Sequence, residues 1–312
     1  MDIVVIMDPP STVIVDEDTS FALMYEAQER GHRVYHCLIH ELFLEGDRLG
    51  AHLRLATLHR DQANPMILGK QELRWLDETD VVLMRKDPPF NPDYLWATLL
   101  LEHLRGKTLV MNDPRALRDA NEKIFPSQFS QLMPRTLITA DKKQIREFVD
   151  RVGGQAVIKP IDGAGGSGVL LLRAGDMNFN TIFEVSTRNG KQMAVVQEFL
   201  PKVSDGDKRI LLLDGEALGA ILRTPQKGDL RSNIHVGGSV SGVALDAQDQ
   251  KIVAELREPL KQNGLYFVGI DVIAGKLTEI NVTSPTGIQQ MARLNQENLS
   301  ARVVDWIEGH IY

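Results

Sequence analysis

Cysteine is almost absent from this sequence. Cys37 is the only one, so no disulfide can close within the chain, and that usage fits a reducing compartment. It lies in Val34-Tyr-His-Cys-Leu-Ile39, an apolar strand-like run in which a lone thiol serves as a small buried hydrophobe. An excess of basic residues is also missing. Thirty-five Lys and Arg stand against 42 Asp and Glu, for a formal net charge of -7. No basic block offsets that balance, which argues against coating nucleic acid, so any anionic ligand must be held by individually placed cations. No apolar run approaches the ~20 residues of a membrane span. Met1-Asp2 opens no basic region followed by a small-residue cleavage site, so no signal peptide is expected. Neither an internal repeat nor a low-complexity tract is present. The expectation is a cytoplasmic protein with no membrane or nucleic-acid partner. His32, His36 and His40 have an i, i+4 spacing that suits zinc only on a helix; this stretch does not read as a helix, so convergence on a metal is not expected.

What is present is ordinary for a globular enzyme: 312 residues, 43% hydrophobic and 25% charged, enough for one large domain or two to three smaller ones. Residues 2–7 form a continuous apolar run, the mark of a strand buried on both faces. Thr19-Ser20 reads as an N-cap, residues 21–30 as a helix and Gly31 as its C′ residue; residues 33–38 follow as a strand. Strand, helix, strand predicts a parallel α/β sheet. Residues 45–78 give no regular pattern. Residues 80–84 are again a strand, ending in Arg85-Lys-Asp-Pro-Pro-Phe90, where two prolines stop it. That loop lies past the carboxyl end of a parallel strand, where open α/β sheets bind ligands, so Arg85 and Lys86 are candidates for an anionic substrate. A helix over 93–105, a strand over 107–111 and a capped turn at Asn112-Asp-Pro114 complete a first domain ending near 121.

The second part opens with a strand at 136–138, a helix at 142–151 and a strand at 156–160. Gly163-Ala-Gly-Gly-Ser-Gly168 then runs into a strand at 169–172. It matches G-x-G-x-x-G in form, but that fingerprint must open a helix. A glycine-rich turn between antiparallel strands is instead a device for covering nucleotide phosphates with backbone N–H groups; the plain alternative is a flexible hairpin tip. After a strand at 192–199, Asp214-Gly215 is a strong hairpin signal between strands at 210–213 and 217–223. The polar loop 224–239, with Arg231, Asn233, Gly237 and Gly238, has the length of a lid. A helix over 246–262 and a strand over 266–272 follow. The sequence from Asp271 to Asn281 then reads as a hairpin, with a closing helix from about Gln289. Alternation puts Glu279 and Asn281 on one face and Ile280 and Val282 on the other. A three-residue loop at Ala274-Gly-Lys276 places Asp271 opposite Glu279; a two-residue loop turns it to the wrong face. Two carboxylates and an amide oxygen side by side suit Mg²⁺; the plain alternative is the solvent face of a hairpin.

Together, Arg85-Lys-Asp-Pro-Pro-Phe90, Leu117-Arg-Asp-Ala-Asn-Glu-Lys123, Lys159-Pro with its glycine loop, Asp205-Gly-Asp-Lys-Arg209, Gly269-Ile-Asp271 and Thr278-Glu-Ile-Asn-Val-Thr-Ser-Pro-Thr286 resemble the bacterial glutathione synthetases, members of the ATP-grasp ligases. The resemblance spans almost the whole chain. It implies a Rossmann-like parallel-sheet domain at 1–121 that binds substrate. An ATP-grasp fold at 122–312 follows, split near 200, with ATP between two α+β subdomains. It implies ATP-dependent joining of γ-glutamylcysteine to glycine through an acyl phosphate, releasing ADP and phosphate, with Mg²⁺ (or Mn²⁺), in a homotetramer. Lys123 and Lys159 would hold the ATP phosphates under Gly163, Gly165, Gly166, Ser167 and Gly168. Gln197, Glu198, Phe199 and Leu200 would line the adenine, with Asp207 near the nucleotide. Asp271, Glu279 and Asn281 would carry the metal, and Arg209 and Arg223 the anionic intermediate. Arg85, Arg231, Asn233, Gly237, Gly238, Ser284, Pro285 and Thr286 would hold the peptide. His235 and Ser239 depart from the family pattern in the lid. Other readings are a ligase with another acceptor amine, such as β-alanine, and a nucleotide-binding regulatory protein.

Overall fold

The computed structural model describes residues 1–163, 165–226 and 238–311. The first sheet is built from β1 (Asp2–Ile6), β2 (Arg33–Cys37), β3 (Leu42–Glu45), β4 (Arg48–Leu58), β5 (Met66–Trp75), β6 (Val81–Met84) and β7 (Leu109–Met111). Its centre, β2-β1-β6-β7, is parallel as the sequence predicts. The stretch without a sequence pattern supplies antiparallel β4 and β5, so the sheet is mixed. Helix α1 (Thr19–Glu29) starts slightly earlier than expected, because Asp18 is its N-cap and accepts from Phe21 N at 2.7 Å. Helix α2 (Pro92–Leu101) gives way to a short 3-10 turn, and α3 (Pro114–Asp119) is capped by Asp113 with proline in its first turn.

The second sheet is antiparallel, in the order β10-β9-β11-β8. Its strands are β8 (Thr136–Thr139), β9 (Gln155–Pro160), β10 (Leu170–Arg173) and β11 (Ala194–Glu198). Helices α4 (Lys142–Arg151) and α5 (Phe179–Ser186), the latter not foreseen, cover one face. Alternation turns Ala156 and Ile158 into that core and leaves Val157 and Lys159 on the open face.

The third sheet has five antiparallel strands, β12 (Asp207–Leu213), β13 (Glu216–Thr224), β14 (Ser239–Gly242), β15 (Phe267–Ile273) and β16 (Lys276–Asn281), in the order β14-β13-β12-β15-β16. Asp214 and Gly215 take positive φ in the expected two-residue turn. Helix α6 (Ala247–Gln262) packs on one face, and α7 (Ile288–Asn295) and α8 (Leu299–Glu308) on the other.

The first and third sheets share their cores. Val4 and Ile6 lie in one apolar cluster with Ile210, Leu256, Ile270 and Ile280. Ile3 and Val5 lie in another with Leu211, Ile221, Phe267 and Val303. Asn112 pins the junction: its amide nitrogen donates to the carbonyls of Phe267 (2.8 Å) and Val282 (2.9 Å), and Phe267 N donates back at 2.7 Å. Both strands of the polar hairpin are thereby fixed to the first sheet. The second sheet has a core of its own, around Ile145, Phe148, Ile158, Leu172 and Val196. Cys37 is fully buried, and burial pushes its thiol up to about 12.

Candidate active site

The β15–β16 hairpin reaches the expected arrangement by a different route. Its loop has two residues: Ile273 pairs with Lys276, with Ala274 and Gly275 at positive φ. A two-residue loop in regular strands would misplace Asp271. A bulge at Thr278 corrects this, because Val272 pairs with Leu277 but Asp271 pairs with Glu279. The extra residue restores the face, and Thr278 Oγ1 fastens it by donating to the Asp271 carbonyl at 3.1 Å. Ile280 and Val282 are buried, as their alternation predicts.

Asp271 is the hub of a buried charge network. Arg209 grips it through Nε at 2.6 Å and Nη2 at 2.9 Å. Arg223 Nη2 lies 2.9 Å from Asp271 Oδ1, and its Nε donates to Asp207 at 2.5 Å. Burial by itself would raise the Asp271 carboxyl, but the two guanidiniums outweigh it and hold the group well below the ordinary carboxylate range. Gly269 makes room for this: a Cβ there would sit 3.0 Å from Pro285 and 3.4 Å from Arg209 Cδ. Asn281 Nδ2 is 3.3 Å from Asp271 Oδ2, and Glu279 lies opposite Asp271 in the strand register, so the three expected metal residues are neighbours on one face. Glu279 faces across the gap to Lys159, with Nζ 3.5 Å from Oε1.

That gap is a cleft of about 720 Å³ between the second and third sheets, lined by Lys159, Gly166, Gln197–Leu200, Asp207, Asp271 and Glu279. Val157, Val203, Ile273 and Thr278 also line it and were not singled out from sequence. Such residues look like ordinary strand and turn positions until the sheets face each other. Gly165, Gly166 and Gly168 have positive φ, and a Cβ on Gly168 would lie 2.7 Å from Pro160 Cγ. Gly165, Ser167 and Gly168 are exposed at the loop surface. Lys123 reaches the loop from the far side, donating to the Gly163 carbonyl.

A second cleft, about 560 Å³, brings Arg85 together with Ser284, Thr286, Asp18, Ser20 and Gln290. Arg85 is buried, donating from Nε to Ser20 Oγ and from Nη2 to the Pro285 carbonyl, both at 3.0 Å. It thus joins the start of α1 to the segment after β16. Lys86 is turned away to Asp8, at 2.9 Å. A third cleft lies beside Lys123 and Gly163, lined also by Phe90, Glu122 and Thr283. Glu122, next to a predicted lysine, had no sequence signal of its own. Gly238 directly precedes β14. Arg231, Asn233, Gly237 and His235 lie outside the described residues. Ser239 pairs with Thr224 at the start of β14.

Metal fit can be judged from the donors. Among the described residues no group of three His, Cys, Asp or Glu side chains has metal-holding geometry. The set here is two carboxylates and an amide, Asp271, Glu279 and Asn281. Hard oxygen donors of this kind suit a divalent ion that keeps waters and phosphate oxygens in its shell.

Two antiparallel sheets facing each other across a cleft, behind a sheet with a parallel centre, define the ATP-grasp class. Solved structures share the fold. D-cycloserine synthetase DcsG aligns with a TM-score of 0.69 at 12% identity, over 98% of this chain and 99% of the other. The ATP-grasp ligase PsnB, complexed with a precursor variant, Mg and ADP, aligns with a TM-score of 0.65 at 19% identity, over 98% and 97%. The models of the prokaryotic glutathione synthetase N-terminal domain and ATP-grasp domain match residues 1–118 and 122–296. Glutathione synthetase of Thermosynechococcus vestitus is 44% identical, over 98% of this chain and 99% of its own. That of Bradyrhizobium diazoefficiens is 43% identical, over 99% and 98%. The chain belongs to the prokaryotic glutathione synthetase family. No helix among the described residues is long and apolar enough to cross a membrane.

Proposed function

We propose that this protein is an ATP-dependent ligase that joins γ-glutamylcysteine to glycine, releasing ADP and phosphate. Its family membership supports that activity. One observation carries the assignment of residues: Lys159, the 197–200 segment and Asp207 share a cleft with Asp271 and Glu279.

In this reading the parts divide the work. Residues 1–121 hold the peptide, and residues 122–312, divided near 200, close over the nucleotide. The 197–200 segment lies along the adenine, and Lys123 and Lys159 neutralise phosphates beneath Gly163, Gly165, Gly166, Ser167 and Gly168. The terminal carboxylate of γ-glutamylcysteine attacks the γ-phosphorus, and ADP leaves. The glycine amine then attacks the acyl carbon, phosphate leaves, and the amine proton passes to solvent. Such transfers depend on positioning and charge neutralisation more than on covalent help from the protein. Arg209 and Arg223, already fixed by Asp271 and Asp207, meet the negative charge that develops without reorganising. Arg85, Ser284, Pro285 and Thr286 orient the peptide, with Arg231, Asn233, Gly237 and Gly238 assigned to it by family pattern. Asp271, Glu279 and Asn281 would hold Mg²⁺, whose chemistry is to offset phosphate charge and fix the phosphate geometry. A tetramer is the assembly this reading carries.

The test is ADP release with ATP, Mg²⁺ and γ-glutamylcysteine, adding glycine, β-alanine or no amine. Glycine-dependent release matched by tripeptide formation is expected. Release only with another amine overturns the product. No release from folded protein that binds ATP overturns the ligase reading.

A further inference from the structure

Glu122 is a half-buried carboxylate to which the proposed reaction assigns no role, and together with Lys123 it stands between the two walls of the cleft. Its carboxylate accepts from Thr283 Oγ1 at 2.9 Å. Its carbonyl accepts from Ile280 N at 3.1 Å, between Glu279 and Asn281. Ten residues on, the Leu132 carbonyl accepts from Leu277 N at 3.0 Å. The chain from 122 to 132 therefore covers the outer edge of β16, the last strand of the third sheet, and satisfies donors an edge would leave open. The next residue, Lys123, points the other way and donates to the Gly163 carbonyl in the glycine loop. One dipeptide thus touches the strand carrying Glu279 and the loop carried by the second sheet.

We propose that Glu122 is a positioning residue: its hydrogen bond with Thr283 locks the Glu122–Lys123 dipeptide to the segment that follows β16, beside the backbone bond to Ile280, and so sets where Lys123 stands relative to Glu279 and the glycine loop. The inference rests on the assignment of Lys123 to the ATP phosphates. A hydrogen bond to a carboxylate is stronger than one between neutral groups. Here the donor follows Val282, whose carbonyl accepts from Asn112 at 2.9 Å. Lys123 has a long, flexible stem, and without that lock its amino group gains freedom that ATP binding must remove.

The experiment compares Glu122→Ala, Thr283→Val, the double variant and Glu122→Gln in steady-state ligation, with ATP affinity by calorimetry. Losing a hydrogen bond to a charged acceptor is expected to raise the KM for ATP about tenfold or more in either single alanine or valine variant. The KM for γ-glutamylcysteine should stay unchanged. The double variant should be no worse than the worse single one, because both remove one interaction. Glu122→Gln keeps the acceptor oxygen and should remain within about threefold of wild type for the same reason. Multiplicative single effects, equal shifts in both KM values, or a Thr283→Val enzyme with unchanged ATP KM overturn the proposal. Should Glu122→Ala fail to fold, Thr283→Val and Glu122→Gln decide it alone. Wild-type protein without any ATP-dependent ligation would instead defeat the functional reading on which this one rests.

Discussion

The two walls of the cleft are built differently. The wall from the third sheet shares both its cores with the first sheet and is pinned by Asn112. It carries the fixed charges: Arg209, Arg223, Asp207 and Asp271, all buried. The wall from the second sheet stands on a small core of its own and carries a lysine and a glycine-rich turn. Charges that must be ready before substrate arrives sit where many contacts over-determine them. In the proposed reading the groups that meet phosphate, Lys159 and the glycine turn, sit on a unit with a core of its own, which can shift without disturbing the rest.

The sharpest way to break this contrast is at the hub. Asp271→Asn leaves two buried guanidiniums without their shared counter-charge. It should cost about 3 kcal/mol or more of stability and at least about a thousandfold in turnover; denaturant unfolding and single-turnover ADP formation would show both. The pair also fixes a pH dependence. A carboxyl held below its unfolded value contributes stability that is present above that value, near ~3.9, and is lost as pH falls through the folded one. Wild type should therefore lose its margin over Asp271→Asn only below about pH 4.

A core substitution separates the walls. Ile158→Ala and Ile280→Ala each remove a fully buried side chain, at a cost of about 2–5 kcal/mol. The first should speed amide exchange only within residues 136–198 and raise the ATP KM. The second should lower the main unfolding transition. Identical exchange patterns would show that the walls are not separate units.

Smaller is the expected effect of Gly168→Ala. It places a Cβ at positive φ against Pro160, and should raise the ATP KM about tenfold with little change in stability. Smallest is Glu122→Gln. Burial raises the Glu122 carboxyl, and Glu279 pushes the same way. A group so raised favours the fold below its unfolded value, near ~4.3, and loses that contribution as pH rises through the folded one. Glu122→Gln should thus be slightly more stable than wild type at pH 8, with the margin vanishing near about pH 4. A constant margin in thermal unfolding across that range would contradict the sign.

Much of the second-sheet wall was legible in sequence. The helix over 142–151 and the strands around the glycine turn follow from apolar spacing and turn residues, and α5 alone was missed. The rigid wall was legible in its hairpins and in which side chains face inward, but not in how its register is set. A bulge is two residues against one, and hydrophobic alternation does not reveal it, so the loop at Ala274 was expected to be longer than it is. Nor does sequence show that Arg209 and Arg223 converge on Asp271, since the pairing arises only when β12, β13 and β15 lie side by side. Strands β4 and β5 escaped because Leu55, Ile67 and Leu73 are exposed apolar residues, which blur the alternation of a half-buried sheet. The short β14, Ser-Val-Ser-Gly, has too little apolar surface to announce itself.

The most direct test of the two-wall account is amide hydrogen exchange with and without ATP and Mg²⁺. The account predicts large new protection in the turn between β9 and β10 and along residues 194–200. Residues 207–213 and 267–281 should be slow to exchange already and change little. Protection confined to the first sheet, or a third-sheet wall that exchanges freely until ATP arrives, would contradict it.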